Sequence, residues 1–129
     1  MAIQSYQDLQ VWQKGMRLAV DVYSVTRKFP REELFGMIQQ LRRSAASVPA
    51  NIAEGYGREN RGDHVQFLRI AQGSLKELET HLLLSVEVGL CCPDNVRPLI
   101  AKSEEIGRML HSLIRRLQEA GKKTVGVKR

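Results

Sequence analysis

Cysteine is nearly absent. The chain has two, Cys91 and Cys92, and they are adjacent. Neighbouring cysteines make a poor structural staple. They form neither a Cys-x-x-Cys redox pair nor a zinc-ligand spacing, so a reduced compartment and a turn or buried role are expected. Aromatics make up 5% of the chain and prolines number four, which suits helices. No segment alternates with the period of a strand, and no repeat or long linker appears. No apolar run reaches the roughly 18 residues that a membrane span needs. The N-terminus lacks the charged start and apolar stretch of a signal peptide. The expectation is a cytoplasmic protein with no membrane partner.

Catalytic constellations are missing too. There is no Gly-x-Ser-x-Gly elbow and no phosphate-cradling glycine loop. Three histidines, His64, His81 and His111, invite a metal reading. A carboxylate-bridged metal bundle needs Glu-x-x-His on two helices. Here Glu77 and His81 are four apart, and the last helix has no such pair. Glu54 stands without a second acid and reads as a hydrogen-bonding residue near a helix end. No metal, cofactor or enzymatic activity is expected.

At 129 residues the chain is one domain. The net charge is +6, and most of the excess is terminal. Lys122, Lys123, Lys128 and Arg129 fall after residue 120 with no acid among them. Residues 1–120 are expected to form the fold, and 121–129 a basic, disordered tail. The nearly balanced body argues for nucleic acid only modestly.

The stretch Gln40–Arg58 is the most informative. Leu34, Ile38, Leu41, Ala45, Val48 and Ile52 recur at three- and four-residue spacing, which is a helical stripe. Pro49 falls inside it. Proline cannot donate to the carbonyl of Ala45, and its ring crowds that group. The stripe stays in phase, so one kinked helix is predicted rather than two. Ser44 and Ser47 are candidates to satisfy the freed carbonyls. The alanines 45, 46, 50 and 53 allow a neighbour to approach closely. Gly55 and Gly57 are expected to end the helix in a left-handed cap.

Three further helices follow from the same spacing. The first, about residues 8–28, has a main seam of Leu9, Trp12, Met16, Ala19 and Tyr23. It also has a second apolar line of Val11, Leu18, Val22 and Val25. That line is either a broad core face or an oligomer interface. The third carries Leu68, Ala71, Leu75, Leu78 and Leu82, with Asp63 as its expected N-cap and Gly89 closing it. Gly73 and Ser74 suggest close contact with the second helix. Leu82, Leu83 and Leu84 are apolar all round, which hints at burial on more than one side. The fourth carries Val96, Leu99, Ser103, Ile106, Leu110, Leu113 and Leu117. Asp94 or Asn95 is its expected cap, and Gly121 its expected end. Short connections give an all-α, up-and-down antiparallel four-helix bundle with helix 2 kinked at a proline.

Several groups of residues together resemble one family. They are Leu9, Val11, Trp12 and Gln13; Phe29, Pro30 and Glu33; Gln40, Leu41, Arg42 and Arg43; and Ala71, Gly73, Ser74, Leu75, Glu77 and Leu78. The chain resembles, over residues 5–117, the bacterial four-helix-bundle proteins encoded in intervening sequences of 23S ribosomal RNA genes. The resemblance implies an up-and-down bundle, often assembled as a pentameric ring. A related branch serves diversity-generating retroelements, where it binds a reverse transcriptase and nucleic acid.

Arg42, Arg43, Arg58, Arg61, Lys122 and Lys123 are the candidate nucleic-acid-binding residues. Arginine forks match phosphate geometry, and phosphate neutralisation gives salt-sensitive, sequence-blind affinity. The alternative is that Arg42 pairs with an acid across the bundle and the others are solvated. The expected function is a non-enzymatic, ring-forming homo-oligomer with weak, sequence-independent binding to RNA, DNA or ribonucleoprotein. The alternative is a structural or protein-binding scaffold.

Overall fold

The computed structural model describes residues 2–128, with side chains described as far as Lys122. The described residues form four α-helices: α1 (Gln10–Thr26), α2 (Met37–Tyr56), α3 (Arg61–Glu87) and α4 (Pro93–Lys128). Short 3-10 turns at Tyr6–Asp8 and Arg31–Glu33 precede α1 and α2. No strand occurs among the described residues. Sequential neighbours pack antiparallel, and α1 closes the bundle on α4. The diagonal pairs stay apart among the described residues. The all-α, up-and-down bundle is therefore observed.

Helices α2 and α3 bury most of the stripe that their spacing predicts. On α4 Leu113 and Leu117 are only half-buried, and Ile114, outside the predicted stripe, is buried instead. Helix α1 departs further. On α2 the core residues are Ile38, Leu41, Ala45, Val48 and Ile52. On α3 they are Leu68, Ala71, Leu75, Leu78 and Leu82. On α4 they are Val96, Leu99, Ile106, Leu110 and Ile114, with the Ser103 hydroxyl buried among them. On α1 the two apolar lines exchange roles. Leu18 and Val22 have no exposed surface, Val11 is buried, and Val25 packs half-buried against the core. The line considered as an oligomer interface is thus the core face itself. The physical reason is that α1 packs on two helices and needs a face wide enough for both. Met16 and Tyr23, expected in the core seam, are exposed instead.

Helix α2 continues unbroken through Pro49. The serine hydroxyls act a turn earlier than expected. Ser44 donates to the carbonyls of Gln40 (2.9 Å) and Leu41 (3.1 Å), and Ser47 to that of Ser44 (3.0 Å). Pro49 is buried against α1 at a glycine. A Cβ placed on Gly15 would lie 3.5 Å from the Pro49 Cβ. The α2–α3 seam is tighter. A Cβ on Gly55 would meet Phe67 Cβ at 3.0 Å and the His64 carbonyl at 3.1 Å. Gly55 therefore permits close packing rather than ending the helix. Gly57 does end it, but with right-handed geometry (φ −76°) and not in a left-handed cap.

The caps also differ in detail. Asn60, not Asp63, caps α3, accepting from the Asp63 N–H at 2.7 Å. Gly89 closes the α3 end as expected, at φ +83°. The Leu90 N–H reaches the Ser85 carbonyl at 2.9 Å, and the Gly89 N–H reaches that of Val86 at 3.0 Å. That pair of bonds is the Schellman pattern. Helix α4 begins at Pro93, so Asp94 and Asn95 lie in its first turn and do not cap it. Its backbone passes Gly121 and reaches Lys128, so the glycine does not stop the helix. The side chains of Lys123 and Lys128, and all of Arg129, lie outside the described residues.

Leu34, expected on the α2 stripe, lies outside the helix and is 46% exposed, because α2 starts only at Met37. Gly73 faces open space. A Cβ there would have no atom within 4 Å, so close contact does not explain this glycine. Its neighbour Ser74 does make that contact: it is buried and accepts from the Ser47 hydroxyl of α2.

Candidate functional site

The arginines predicted to bind phosphate are scattered and mostly engaged. Arg42 and Arg43 are consecutive on α2, so their side chains diverge by about 100° around the axis. Arg42 turns towards α1. Its Nε donates to Thr26 Oγ1 at 2.9 Å, and its guanidinium lies 4.5 Å from the Tyr23 ring centre. It pairs with a hydroxyl and a ring, not with the acid that the alternative reading supposes. Arg43 turns towards α3 and bonds Glu77 at 2.7 Å and Gln40 at 2.8 Å. Arg58 is on Glu54 at 3.0 Å, with its guanidinium 4.8 Å from the Phe67 ring centre.

Arg58, Arg61 and Lys122 share one end of the bundle. There α2 ends, α3 begins, and α4 runs past with Gly121 beside the Arg61 side chain. From Arg43 to Arg58 is about 22 Å along the helix at 1.5 Å per residue. The set is therefore two groups, not one strip. Arg61 and Lys122 are exposed and make no side-chain bond among the described residues.

The larger feature is apolar. A groove of about 630 Å³ runs between α1 and α2. Trp12, Met16, Val20 and Tyr23 form one wall. The small residues Ala46, Pro49, Ala50 and Ala53 form the other. Tyr6 closes one end, its ring edge-on to Trp12 at 5.3 Å. Arg27 is the charged residue at the opposite end, and no acid lines the groove. Met16 is 42% exposed, Val20 52% and Tyr23 39%. These side chains lie open because the facing wall is built of alanine and proline. The alanine row is legible in the sequence, where it implies room for a neighbouring helix of the same chain. In the fold, part of that room stays open as the groove.

The remaining candidates carry little chemistry. A second groove, about 500 Å³, lies between α3 and α4 and includes Glu79, Glu104 and Arg108. Glu79 is occupied there, accepting from Ser103 at 2.6 Å and from Lys76 at 3.2 Å. His64 Nε2 and His81 Nδ1 are buried without a hydrogen-bond partner among the described residues. Burial holds the His64 imidazole below its usual range. Burial first, and then the neighbouring Cys92, push the Cys91 thiol up, so it is the less reactive state that is favoured. No cluster of three or more potential metal ligands occurs among the described residues. None of the helices described is long and apolar enough to cross a membrane.

Comparison with known proteins bears on these surfaces. No curated protein matches the chain. A solved structure of a protein with unknown function from the S23 ribosomal protein family of Bacteroides thetaiotaomicron VPI-5482 is similar. It shares 28% identity and superposes with a TM-score of 0.73, over 81% of this chain and 97% of that one. The family model described as 23S rRNA-intervening sequence protein matches residues 7–112. The chain belongs to the 23S rRNA-intervening sequence protein family.

Proposed function

We propose that this family member is a non-enzymatic, self-associating bundle. Its copies join through the α1–α2 groove into a ring-like homo-oligomer, with the pentameric number that the family resemblance implies. The observation that carries this reading is the open apolar wall of Met16, Val20 and Tyr23. Large contiguous apolar patches on soluble proteins mark interaction surfaces. The core is already complete without these side chains, so folding alone does not account for them. The interface lies on this outer wall of α1 and not on the buried line of Val11, Leu18, Val22 and Val25. Light scattering at micromolar concentration is the test. A mass several times the 14.6 kDa chain is expected, and a clean monomer would remove the reading.

A second activity is favoured by the shared end of Arg58, Arg61 and Lys122: weak, sequence-independent binding of RNA, DNA or ribonucleoprotein through phosphates. A ring repeats each patch by symmetry, so modest single-site affinity becomes avidity. Binding should fall steeply with salt as counterions are released. Arg61→Glu with Lys122→Glu should weaken retention of RNA and DNA at low salt. Arg42 and Arg43 should contribute less, since their forks are engaged within the bundle. No retention of the wild-type chain at low salt would leave the protein-scaffold alternative standing.

A further inference from the structure

One exposed feature matches the α1–α2 groove in apolar character and charge, and it belongs to the same chain. The turn before α2 carries Leu34 and Phe35. Phe35 is 86% exposed, more than any other large apolar residue described, and Leu34 is 46% exposed. An aromatic this open contributes almost nothing to the chain's own core.

The turn is also held in place. The Glu33 N–H bonds the Pro30 carbonyl at 2.9 Å, the Leu34 N–H that of Arg31 at 3.0 Å, and the Gly36 N–H that of Glu33 at 3.0 Å. The Glu33 carboxylate accepts from the Met37 N–H at 3.2 Å, which fixes the turn to the start of α2. A pre-ordered knob loses little further entropy on docking. Glu33 is used in this way, whereas Glu32 is exposed and makes no side-chain bond among the described residues. The groove is its counterpart: apolar and aromatic along its length, free of acids, with Arg27 at one end.

We infer that the occupant of the groove is the Leu34–Phe35 turn of a second copy of this chain, with Glu32 of one copy facing Arg27 of the next. The inference rests on the self-association reading above and names the partner surface that reading leaves open. Knob and groove are different patches of one molecule, so the contact is heterologous. Repeating it closes a ring when the rotation allows. A groove-to-groove contact would instead be two-fold and would stop at a dimer.

Complementation separates these cases. Val20→Glu disables the groove and leaves the knob, while Phe35→Glu disables the knob and leaves the groove. Both positions are exposed, so helix content should match wild type by circular dichroism. Met16→Glu and Leu34→Glu provide a second pair on the same two surfaces. Each variant alone should run as a monomer in light scattering. Mixed in equal amounts, the two should form a species of about twice the 14.6 kDa chain, because one intact knob meets one intact groove.

Other outcomes are as informative. If Val20→Glu dissociates the assembly and Phe35→Glu leaves its mass unchanged, self-association stands and the knob is wrong. A mixture that stays monomeric overturns the heterologous contact. An assembly that survives Val20→Glu overturns the groove as the interface. A monomeric wild-type chain removes the underlying reading itself.

Discussion

Replacing Gly55 and Gly73 by alanine, one at a time, tests how closely α2 and α3 approach. Both glycines are helical, and alanine is favoured over glycine in a helix interior by about 1 kcal/mol. Their surroundings are opposite. A Cβ on Gly73 meets nothing within 4 Å, so Gly73→Ala should collect most of that gain. A Cβ on Gly55 would sit 3.0 Å from Phe67 Cβ, 3.1 Å from His64 Cδ2 and 3.1 Å from the His64 carbonyl. The carbonyl is backbone and the Phe67 Cβ is fixed to backbone, so neither yields by rotating a side chain. Overpacking of this kind typically costs about 1–3 kcal/mol. Net of the helix gain, Gly55→Ala should range from near neutral to a loss of about 2 kcal/mol. Urea unfolding followed by circular dichroism reads the difference. With a slope of about 2 kcal/mol per molar, each 1 kcal/mol moves the midpoint by roughly 0.5 M. Protein concentration must be held constant, because the proposed assembly would stabilise the folded chain by mass action. If Gly55→Ala raises the midpoint as much as Gly73→Ala does, the close α2–α3 approach is wrong.

Leu41→Ala and Leu75→Ala remove side chains that are 0% and 1% exposed, and should each cost about 2–5 kcal/mol in the same assay. Arg43→Ala removes a pair with Glu77 that is open to solvent on both sides, so a loss between about 0 and 1 kcal/mol is expected. Burial depresses the His64 imidazole, so below about pH 6.5 the unfolded chain binds the proton more readily than the fold does. Stability is full above that pH and declines as pH falls through the depressed folded value. His64→Gln should flatten the decline in a series of unfolding curves from neutral to mildly acidic pH, and an unchanged slope would assign the decline to other groups.

The cores of α2, α3 and α4 are legible in the sequence because spacing of three and four is a local property of the chain. Helix α1 shows where this stops. Leu9, Trp12, Met16 and Tyr23 share one line, and Val11, Leu18, Val22 and Val25 share another. Both are apolar at helical spacing, and hydrophobicity alone does not rank them. In the fold the buried line is the one that contains Gly15, which faces Pro49 of α2. Leu34 departs from expectation for a related reason. It continues the α2 stripe numerically, but it closes the 3-10 turn at Arg31–Glu33 and Gly36 separates it from α2, so periodicity does not carry across.

The candidate site is less legible, because it depends on what each charge meets in three dimensions. Adjacency suggests a joint role for Arg42 and Arg43, yet one serves α1 and the other α3. Thr26 is 16 residues from Arg42, and Glu77 is 34 from Arg43. No local pattern specifies partners that distant. Exposure weighs the two functional readings differently. A solvated or paired arginine on a surface is ordinary and requires no ligand. A phenylalanine at 86% exposure, and an aromatic groove with no covering element among the described residues, leave apolar area in water that association would remove. The unsatisfied surface is therefore apolar more than cationic, and this is why self-association takes precedence over nucleic acid. On the proposed reading, phosphate binding would depend on the assembled ring, through the number of copies of Arg61 and Lys122 it repeats. An assembly-deficient Val20→Glu chain should accordingly lose RNA retention while keeping every one of its basic residues.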